Sequence, residues 1–306
     1  MKFEGETPQG EKIKLGAPIF LRLDRDIQAP ADELRATFPG RGSEKIVRLK
    51  ALCGEDTIFD GLVDEAESTA GSSGFLRSFV ARSRAALLLD NEAKPQKYCR
   101  TSFPMLFSRH AAPYGFSSFS APDQVFCGEF SVQKGESEWT VLDNFCRRFL
   151  NTGLTVRPDG SLYAGKEPSR NWTFGEGGTG VLSVSLKYRF CDLISEAWVQ
   201  QKQNGCYYSS VQGETAIRMG IQRRRFFNFS ELAYRRAQKV IEDAQRRFMT
   251  VELEIPGRVD AAPGDGAIFA GSGYGILEGL RVSRTVYTVE EGVETTRIVL
   301  YQEGRG

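Results

Sequence analysis

The residues able to do chemistry are few. His110 is the only histidine in 306 residues, which excludes any metal set or mechanism needing two. Within Phe107-Ser108-Arg109-His110-Ala111 it could act as general base for a serine or cysteine nucleophile. No Gly-x-Ser-x-Gly elbow occurs anywhere, so a structural histidine is expected. The carboxylate pairs Asp24 with Asp26 and Asp64 with Glu65 would suit a glycosidase only at a separation in space that a sequence does not give. Six cysteines, at 53, 99, 127, 146, 191 and 206, include no Cys-x-x-Cys pair. Cys146 falls on an apolar helix face and Cys53 follows an apolar strand, so reduced cysteines acting as small hydrophobes are expected. No catalytic, cofactor-binding or metal residue is nominated, and no enzyme is expected.

Three motifs bear on phosphates. Gly175-x-Gly177-x-x-Gly180 matches the dinucleotide fingerprint as a string. That chemistry needs a preceding strand and a following helix whose N-terminus faces the pyrophosphate, whereas here the run precedes a strand. Gly160-x-x-x-x-Gly165-Lys166 approaches a phosphate-binding loop, but Glu167 replaces the magnesium-holding Ser or Thr and Pro168 follows. Arg223-Arg224-Arg225-Phe226-Phe227 is basic with adjacent aromatics, and residues 218–247 hold nine Arg or Lys against three acidic residues. Residues 51–70 hold six acidic residues and no Lys or Arg. Such segregation suits a solvated helix face and a complementary protein interface better than a phosphate-tracking stripe, so no specific nucleic-acid binding is expected.

The elements that must carry these residues are mostly strands. Ile19–Leu23, Leu34-x-Ala-x-Phe38, Ile46–Leu52 and Thr57–Val63 are β-prone, punctuated by Pro39-Gly40-Arg41-Gly42-Ser43 and Gly71-Ser72-Ser73-Gly74. Spacing near ten residues predicts a small antiparallel barrel over 1–93, closed by a short helix at Arg82–Leu89. A middle domain, 94–168, is partly helical. Its Glu138–Asn151 helix carries Leu142, Phe145, Cys146, Phe149 and Leu150 on one stripe, with Ser137 as cap and Gly153 as left-handed stop. Arg157-Pro158-Asp159-Gly160-Ser161 is then a turn between two short strands.

A second barrel domain is expected over 169–306. Leu182, Val184, Leu186, Tyr188 and Phe190 alternate with polar residues as in a half-buried strand. Asn204-Gly205 predicts a type I′ hairpin. The outer helix 230–248 has one stripe of Ala233, Ala237, Val240, Ile241, Ala244 and Phe248, and Asn228 with Glu231 resembles a capping box. Thr250–Ile255 is a strand ended by Pro256-Gly257. A last hairpin pairs Val282–Val289 with Val293–Leu300 across Glu290-Glu291-Gly292. The fold class is thus α+β and β-rich: two small antiparallel β-barrel domains with a partly helical middle insert.

Composition agrees with a folded chain. Apolar residues make up 41% and charged residues 26%, with 40 Lys and Arg against 39 Asp and Glu. This excludes the strongly basic footprint of a dedicated nucleic-acid binder and the acidity of a disordered solvating chain. Met1-Lys2-Phe3-Glu4-Gly5-Glu6 has no apolar signal core, and the longest aliphatic run, Ala85–Leu89, is far short of a membrane segment of roughly 20 residues. Folding in a cytoplasm is the expectation.

Four stretches together resemble one family. Phe20-Leu21-Arg22-Leu23-Asp24-Arg25-Asp26-Ile27-Gln28-Ala29-Pro30-Ala31-Asp32 is similar to the opening of phage tail baseplate hub proteins, those grouped with the late control protein D family. Ala81–Ala93 resembles their first-domain exit, and Phe130–Phe145 with the Asp159-Gly160 turn resembles their middle segment. Tyr234–Phe248 followed by Leu253–Gly257 resembles their C-terminal helix-then-strand unit, and the four come in the family's order. The resemblance implies two related barrel domains per chain and a homotrimer forming a pseudo-sixfold ring. Such a ring joins the hexameric tail tube, or a tube-initiator protein, to the trimeric central spike, with a tape measure protein as a further partner. It implies a virion protein of the tail baseplate, assembled in the host cytoplasm and related to contractile-tail and secretion-system spike hubs. The acidic 51–70 and basic 218–247 segments would then set register between chains. No room is expected for a lytic domain. As the alternative, Val132-x-Lys134-Gly135-Glu136-Ser137-x-Trp139 resembles the front of a LysM module, giving a peptidoglycan-binding tail tip through 130–163. Its second helix is missing, because Leu154–Tyr163 reads as strands.

Overall fold

The computed structural model describes residues 1–72, 74–165, 169–230 and 233–302. The chain is 49% strand and 18% helix, the expected β-rich α+β class. It divides into two compact units, Met1–Pro168 with Val286–Glu294, and Ser169–Thr285 with Thr295–Gly306.

The first unit begins with seven strands, β1 (Lys2–Glu6), β2 (Lys12–Leu15), β3 (Phe20–Asp26), β4 (Glu33–Pro39), β5 (Arg48–Cys53), β6 (Asp56–Gly71) and β7 (Gly74–Ser83). They pair in the order β3-β4-β7-β6-β5-β1-β2, all antiparallel. Alternation does the sorting: Leu21 and Leu23, Leu34, Ala36 and Phe38, Leu49 and Ala51, and Phe79 and Ala81 all turn into one core. Tyr287, from the Val286–Glu294 segment, joins them there. Gly61 is required in β6, since a Cβ there would lie 2.2 Å from the Arg82 carbonyl oxygen. Buried Asp60 is held by a two-pronged Arg48 guanidinium at 2.7 and 2.5 Å.

The same unit continues with α1 (Ala85–Asp90), β8 (Gln96–Ser102), α2 (Phe103–His110), β9 (Phe119–Ser120), β10 (Val125–Val132), α3 (Glu138–Phe145), β11 (Leu154–Val156) and β12 (Leu162–Ala164). These enclose a separate core of Phe103, Leu106, Phe130, Leu142 and Phe145. Ser137 caps α3 as expected, its Oγ accepting from Thr140 N–H at 3.1 Å. The stripe of the expected Glu138–Asn151 helix holds, but the helix widens into a π turn at Cys146–Leu150. The left-handed stop is Asn151, φ 52°, and not Gly153. The exit helix starts at Ala85, because Arg82 and Ser83 still belong to β7.

The second unit contains β13 (Asn171–Gly175), β14 (Ser183–Tyr188), β15 (Glu196–Gln200), β16 (Tyr208–Gln212), α4 (Glu214–Arg218), β17 (Arg224–Phe227), α5 (Ala233–Phe248), β18 (Met249–Pro256), β19 (Gly266–Gly271), β20 (Gly275–Glu290) and β21 (Val293–Gln302). Its main sheet runs β14-β18-β21-β20-β19-β13, over a core of Phe174, Val251, Leu253, Val282, Ile298 and Leu300. Asp265 fixes the entry to β13 and β19, accepting from Arg170 N–H, Trp172 Nε1 and Ala262 N–H at 3.0, 2.9 and 3.0 Å. A smaller sheet, β16-β15-β17, packs on the predicted stripe of α5 through Ala197 and Val199. Of the expected capping box, Glu231 lies outside the described residues. The β15–β16 hairpin forms, but Asn204 alone is left-handed, φ 57°, so the turn is not type I′. That geometry occurs instead at Glu291-Gly292, φ 51° and 81°, between β20 and β21.

The two units repeat one pairing order. The series β3-β4-β7-β6-β5-β1 corresponds strand for strand to β14-β18-β21-β20-β19-β13. In each, a strand of 16 residues turns back into one of 10. The strand before that hairpin carries a register shift in both, between Ala51 and Leu52 and between Ala267 and Phe269. The repeat differs at its margin, where β1 meets β5 antiparallel and β13 meets β19 parallel. In both units the ladders among the described residues trace an open path.

Candidate functional site

The single histidine is built into the helical core. His110 closes α2, and Glu138 opens α3, where the helix N-terminus favours a carboxylate. The imidazole Nδ1 lies 2.5 Å from Glu138 Oε2, and Nε2 lies 2.9 Å from the Tyr98 hydroxyl. Tyr114 donates to the other Glu138 oxygen at 3.1 Å. Burial, then the bond to Glu138, raises the Tyr114 phenol above its ordinary range. Both ring nitrogens are therefore occupied, and the group that meets Nε2 is a phenol in place of a serine or cysteine. His110 and Glu138 are buried, so the chain Tyr98–His110–Glu138–Tyr114 fastens β8, α2 and α3 to one another. The geometry gives His110 two side-chain partners that sequence spacing did not indicate.

The other tempting residues are also committed locally. Asp24 accepts from Arg22 at 3.0 Å, and Asp26 caps Gln28 N–H at 2.9 Å. Asp64 and Asp90 share the Arg82 guanidinium, with contacts of 2.6–3.1 Å. Gly175 and Gly177 make the turn between β13 and β14, each left-handed, and no helix follows. Gly160 turns β11 into β12, while Lys166, Glu167 and Pro168 lie outside the described residues. All six cysteines are free thiols. Burial pushes the Cys146 thiol up to about 12. Among the described residues no group of three or more His, Cys, Asp and Glu side chains is placed to hold a metal ion. No described helix is long and apolar enough to cross a membrane. In the LysM-like run, Val132 and Trp139 are core residues, which removes the tryptophan from the surface.

What remains is surface, and three parts of it stand out. The first is the outer face of β16-β15-β17. Pairing puts Arg224 beside Glu196 and Phe226 beside Trp198. Arg224 Nε and Trp198 Nε1 both donate to Glu196, at 2.7 and 2.9 Å, and the tryptophan bond leads in holding that carboxyl below its usual range. Tyr208 meets Phe226 edge to face, and Phe226 is 67% exposed. The Arg223–Arg225 run is thereby divided. Arg223 is spent on the carbonyl oxygens of Phe190 and Leu193, and strand alternation sends Arg224 and Arg225 to opposite faces.

The second part is the outer edge of β14. The predicted half-buried alternation holds for Val184 and Leu186 only; Leu182, Tyr188 and Phe190 are 61, 48 and 54% exposed. The third is the far half of β6, where every residue from Asp64 to Gly71 is exposed. β5 pairs with β6 as far as Leu62, and Val63 N–H still donates to the Val47 carbonyl at 3.0 Å. From Asp64 on, the strand has β7 on one side and, among the described residues, an open edge on the other. Sequence reading marked this segment as acidic but ended the strand at Val63. The signal lay in the continued alternation Glu65-Ala66-Glu67-Ser68-Thr69.

No protein-family model matches the sequence, and no curated protein matches it. Solved structures do. A tail protein from Neisseria meningitidis MC58 is similar over 99% of this chain and 96% of its own, with 14% identity and a TM-score of 0.75. The 43 kDa tail protein of prophage MuSo2 from Shewanella oneidensis is similar over 99% and 98%, with 11% identity and a TM-score of 0.79. An Escherichia coli component of the type VI secretion system, itself described as similar to T4 bacteriophage tail proteins gp27 and gp5, matches over 94% of this chain and 74% of its own. Its identity is 9% and its TM-score 0.57. The fold, over essentially the whole chain, is that of phage tail and secretion-system tail-like proteins.

Proposed function

We propose that the chain is the structural baseplate hub of a phage or phage-like tail. Three copies form a pseudo-sixfold ring that joins the hexameric tail tube to the trimeric central spike. The observation that carries the proposal is the repeated pairing order β3-β4-β7-β6-β5-β1 and β14-β18-β21-β20-β19-β13. A chain with two copies of one sheet presents six similar sheets when three chains assemble, which matches a sixfold tube on one side while keeping threefold symmetry for a spike on the other. The tail fold of the similar structures supports the same reading. The occupied state of His110, Asp24, Asp64 and Glu138 supports a role that is not enzymatic. In this reading the chain is a virion protein, made and assembled in the host cytoplasm. Its three parts are 1–93, 94–168 and 169–306, and its partners are the tube or tube-initiator protein, the spike and a tape measure protein.

The test is the solution mass of the purified chain by light scattering, with negative-stain images of the same peak, alone and co-expressed with neighbouring tail proteins. A mass near three times 34.1 kDa with ring-shaped particles is expected. A chain that stays monomeric in both settings overturns the ring. Retention on peptidoglycan by the monomer would shift the reading to a wall-binding tail tip.

A further inference from the structure

We infer that the far half of β6, Asp64–Gly71, leaves its own copy and pairs along β14, Ser183–Tyr188, of a second copy. The inference rests on the ring reading above for there being a second copy at that edge, and on the repeat for which edges meet.

In the first unit β3 has a neighbour on each side. One is β4, and the other is β20, whose far end falls in the Val286–Glu294 segment of that unit. Tyr287 and Val289 from this segment pack with Leu21 and Leu23 of β3. In the second unit the counterpart of β3 is β14. It lies beside β18 as β3 lies beside β4, but it ends the path, with no strand on its other side among the described residues. The counterpart of β20 is β6, equal to it at 16 residues. The far end of β20 lies beside β3, whereas the far half of β6 keeps only its hairpin partner β7 and, among the described residues, has no strand on its other edge. The repeat thus leaves one strand end without an acceptor and one edge without a neighbour.

The two leftovers suit each other chemically. The far half of β6 carries Glu65 and Glu67 with no basic residue, and β14 carries Lys187 one residue before its end. The exposed Leu182, Tyr188 and Phe190 flank the empty edge and would be covered by an added strand, as Leu21 and Leu23 are covered in the first unit. An eight-residue bare edge is a liability that soluble proteins cover or block, and an added strand satisfies its N–H and C=O groups. The contact is head-to-tail, β6 of one copy on β14 of the next, so it generates a closed ring when the rotation closes.

The test is disulfide scanning in a background with Cys99, Cys127, Cys191 and Cys206 changed to Ser. Ala66→Cys or Glu67→Cys, which lie on opposite sheet faces, is combined with Ser185→Cys or Lys187→Cys in one chain, and the assembled protein is oxidised and run without reductant. A ladder of covalent multimers from the combination that shares a sheet face is expected. Lys12→Cys with Ser185→Cys serves as the control, and matching melting curves show that each variant folds. Assembled rings in which no combination exceeds the control overturn the inference and leave the ring standing. A chain that never assembles, even with its tail partners, overturns both. As a second readout, Glu65→Lys with Glu67→Lys, or Lys187→Glu alone, should lower the assembled fraction several-fold, and the two sets together should restore it. No recovery in the combined variant, with its fold intact, also counts against the pairing.

Discussion

Asp32 gives the sharpest test of the electrostatics in the first unit. It stands at the entry to β4, its backbone N–H donating to Ser83 Oγ at 3.0 Å and its carboxylate 3.4 Å from Arg25 Nε. Burial raises its pKa from 3.8 to about 6, and the Arg25 charge only partly opposes the rise. The folded state therefore binds the Asp32 proton more tightly than the unfolded chain does. Between pH 4 and 6 the unfolded state carries fewer protons at this site, so the contribution to stability falls as pH rises and levels off above about 6. A shift of roughly two units corresponds to about 3 kcal/mol at most. The side chain keeps 25% of its surface exposed, and that solvent access reduces the expected effect to about 1–2 kcal/mol. Asp32→Asn fixes the neutral form. The variant should melt within a degree of wild type at pH 3.5, below the ordinary carboxyl value, and about 3–6 °C above it at pH 7, judged on the transition of the first unit. Taking the difference at each pH cancels the general acid sensitivity of the other carboxylates. A gap independent of pH, or one in which wild type gains on the variant as pH rises, would refute the reasoning.

Three further outcomes follow from the cores and the surface. Glu138→Leu leaves His110 and Tyr114 without their acceptor and should cost about 3 kcal/mol in urea unfolding, while Tyr98→Phe, which removes one hydroxyl, should cost about 1 kcal/mol. With a colorimetric thiol reagent, the exposed Cys99, Cys127, Cys191 and Cys206 should react quickly, and Cys146 should stay silent until the chain unfolds. Changing Arg223, Arg224 and Arg225 to Ser should leave the salt dependence of DNA retention unchanged, because all three already serve protein acceptors.

Much of the frame was legible because alternation and helical stripes report burial directly. β3, β4, β5 and β18, the β20–β21 hairpin and the α5 stripe were all visible in this way. The omissions have particular causes. In β7 the core position 77 holds an arginine, which bonds the Glu44 carbonyl at 2.7 Å and lies over the Phe79 ring, so the apolar alternation is interrupted. In β1 one inward position is Gly5, which packs against Ile46 and gives no apolar signal. α2 went without a sequence signal, and its Pro104 sits in the first turn, where proline costs the helix no bond. The Tyr98–His110–Glu138–Tyr114 chain draws on four separate positions, and no local pattern announces it.

The repeat was invisible for a different reason. A sheet requires that inward positions be apolar, not that two copies use the same residues, so two units can share a pairing order while their sequences drift apart. The one strand whose predicted burial failed is informative for that reason. The alternation from Leu182 to Phe190 predicts one covered face, yet among the described residues β14 is joined to a neighbour, β18, on one edge alone. In the chain alone Leu182, Tyr188 and Phe190 stay open, and the strand proposed above for that edge would cover them. Mismatch between pattern and burial concentrates where a protein meets something else. Here it falls on the same edge that the strand count alone leaves vacant, so packing and topology, argued separately, point to one surface.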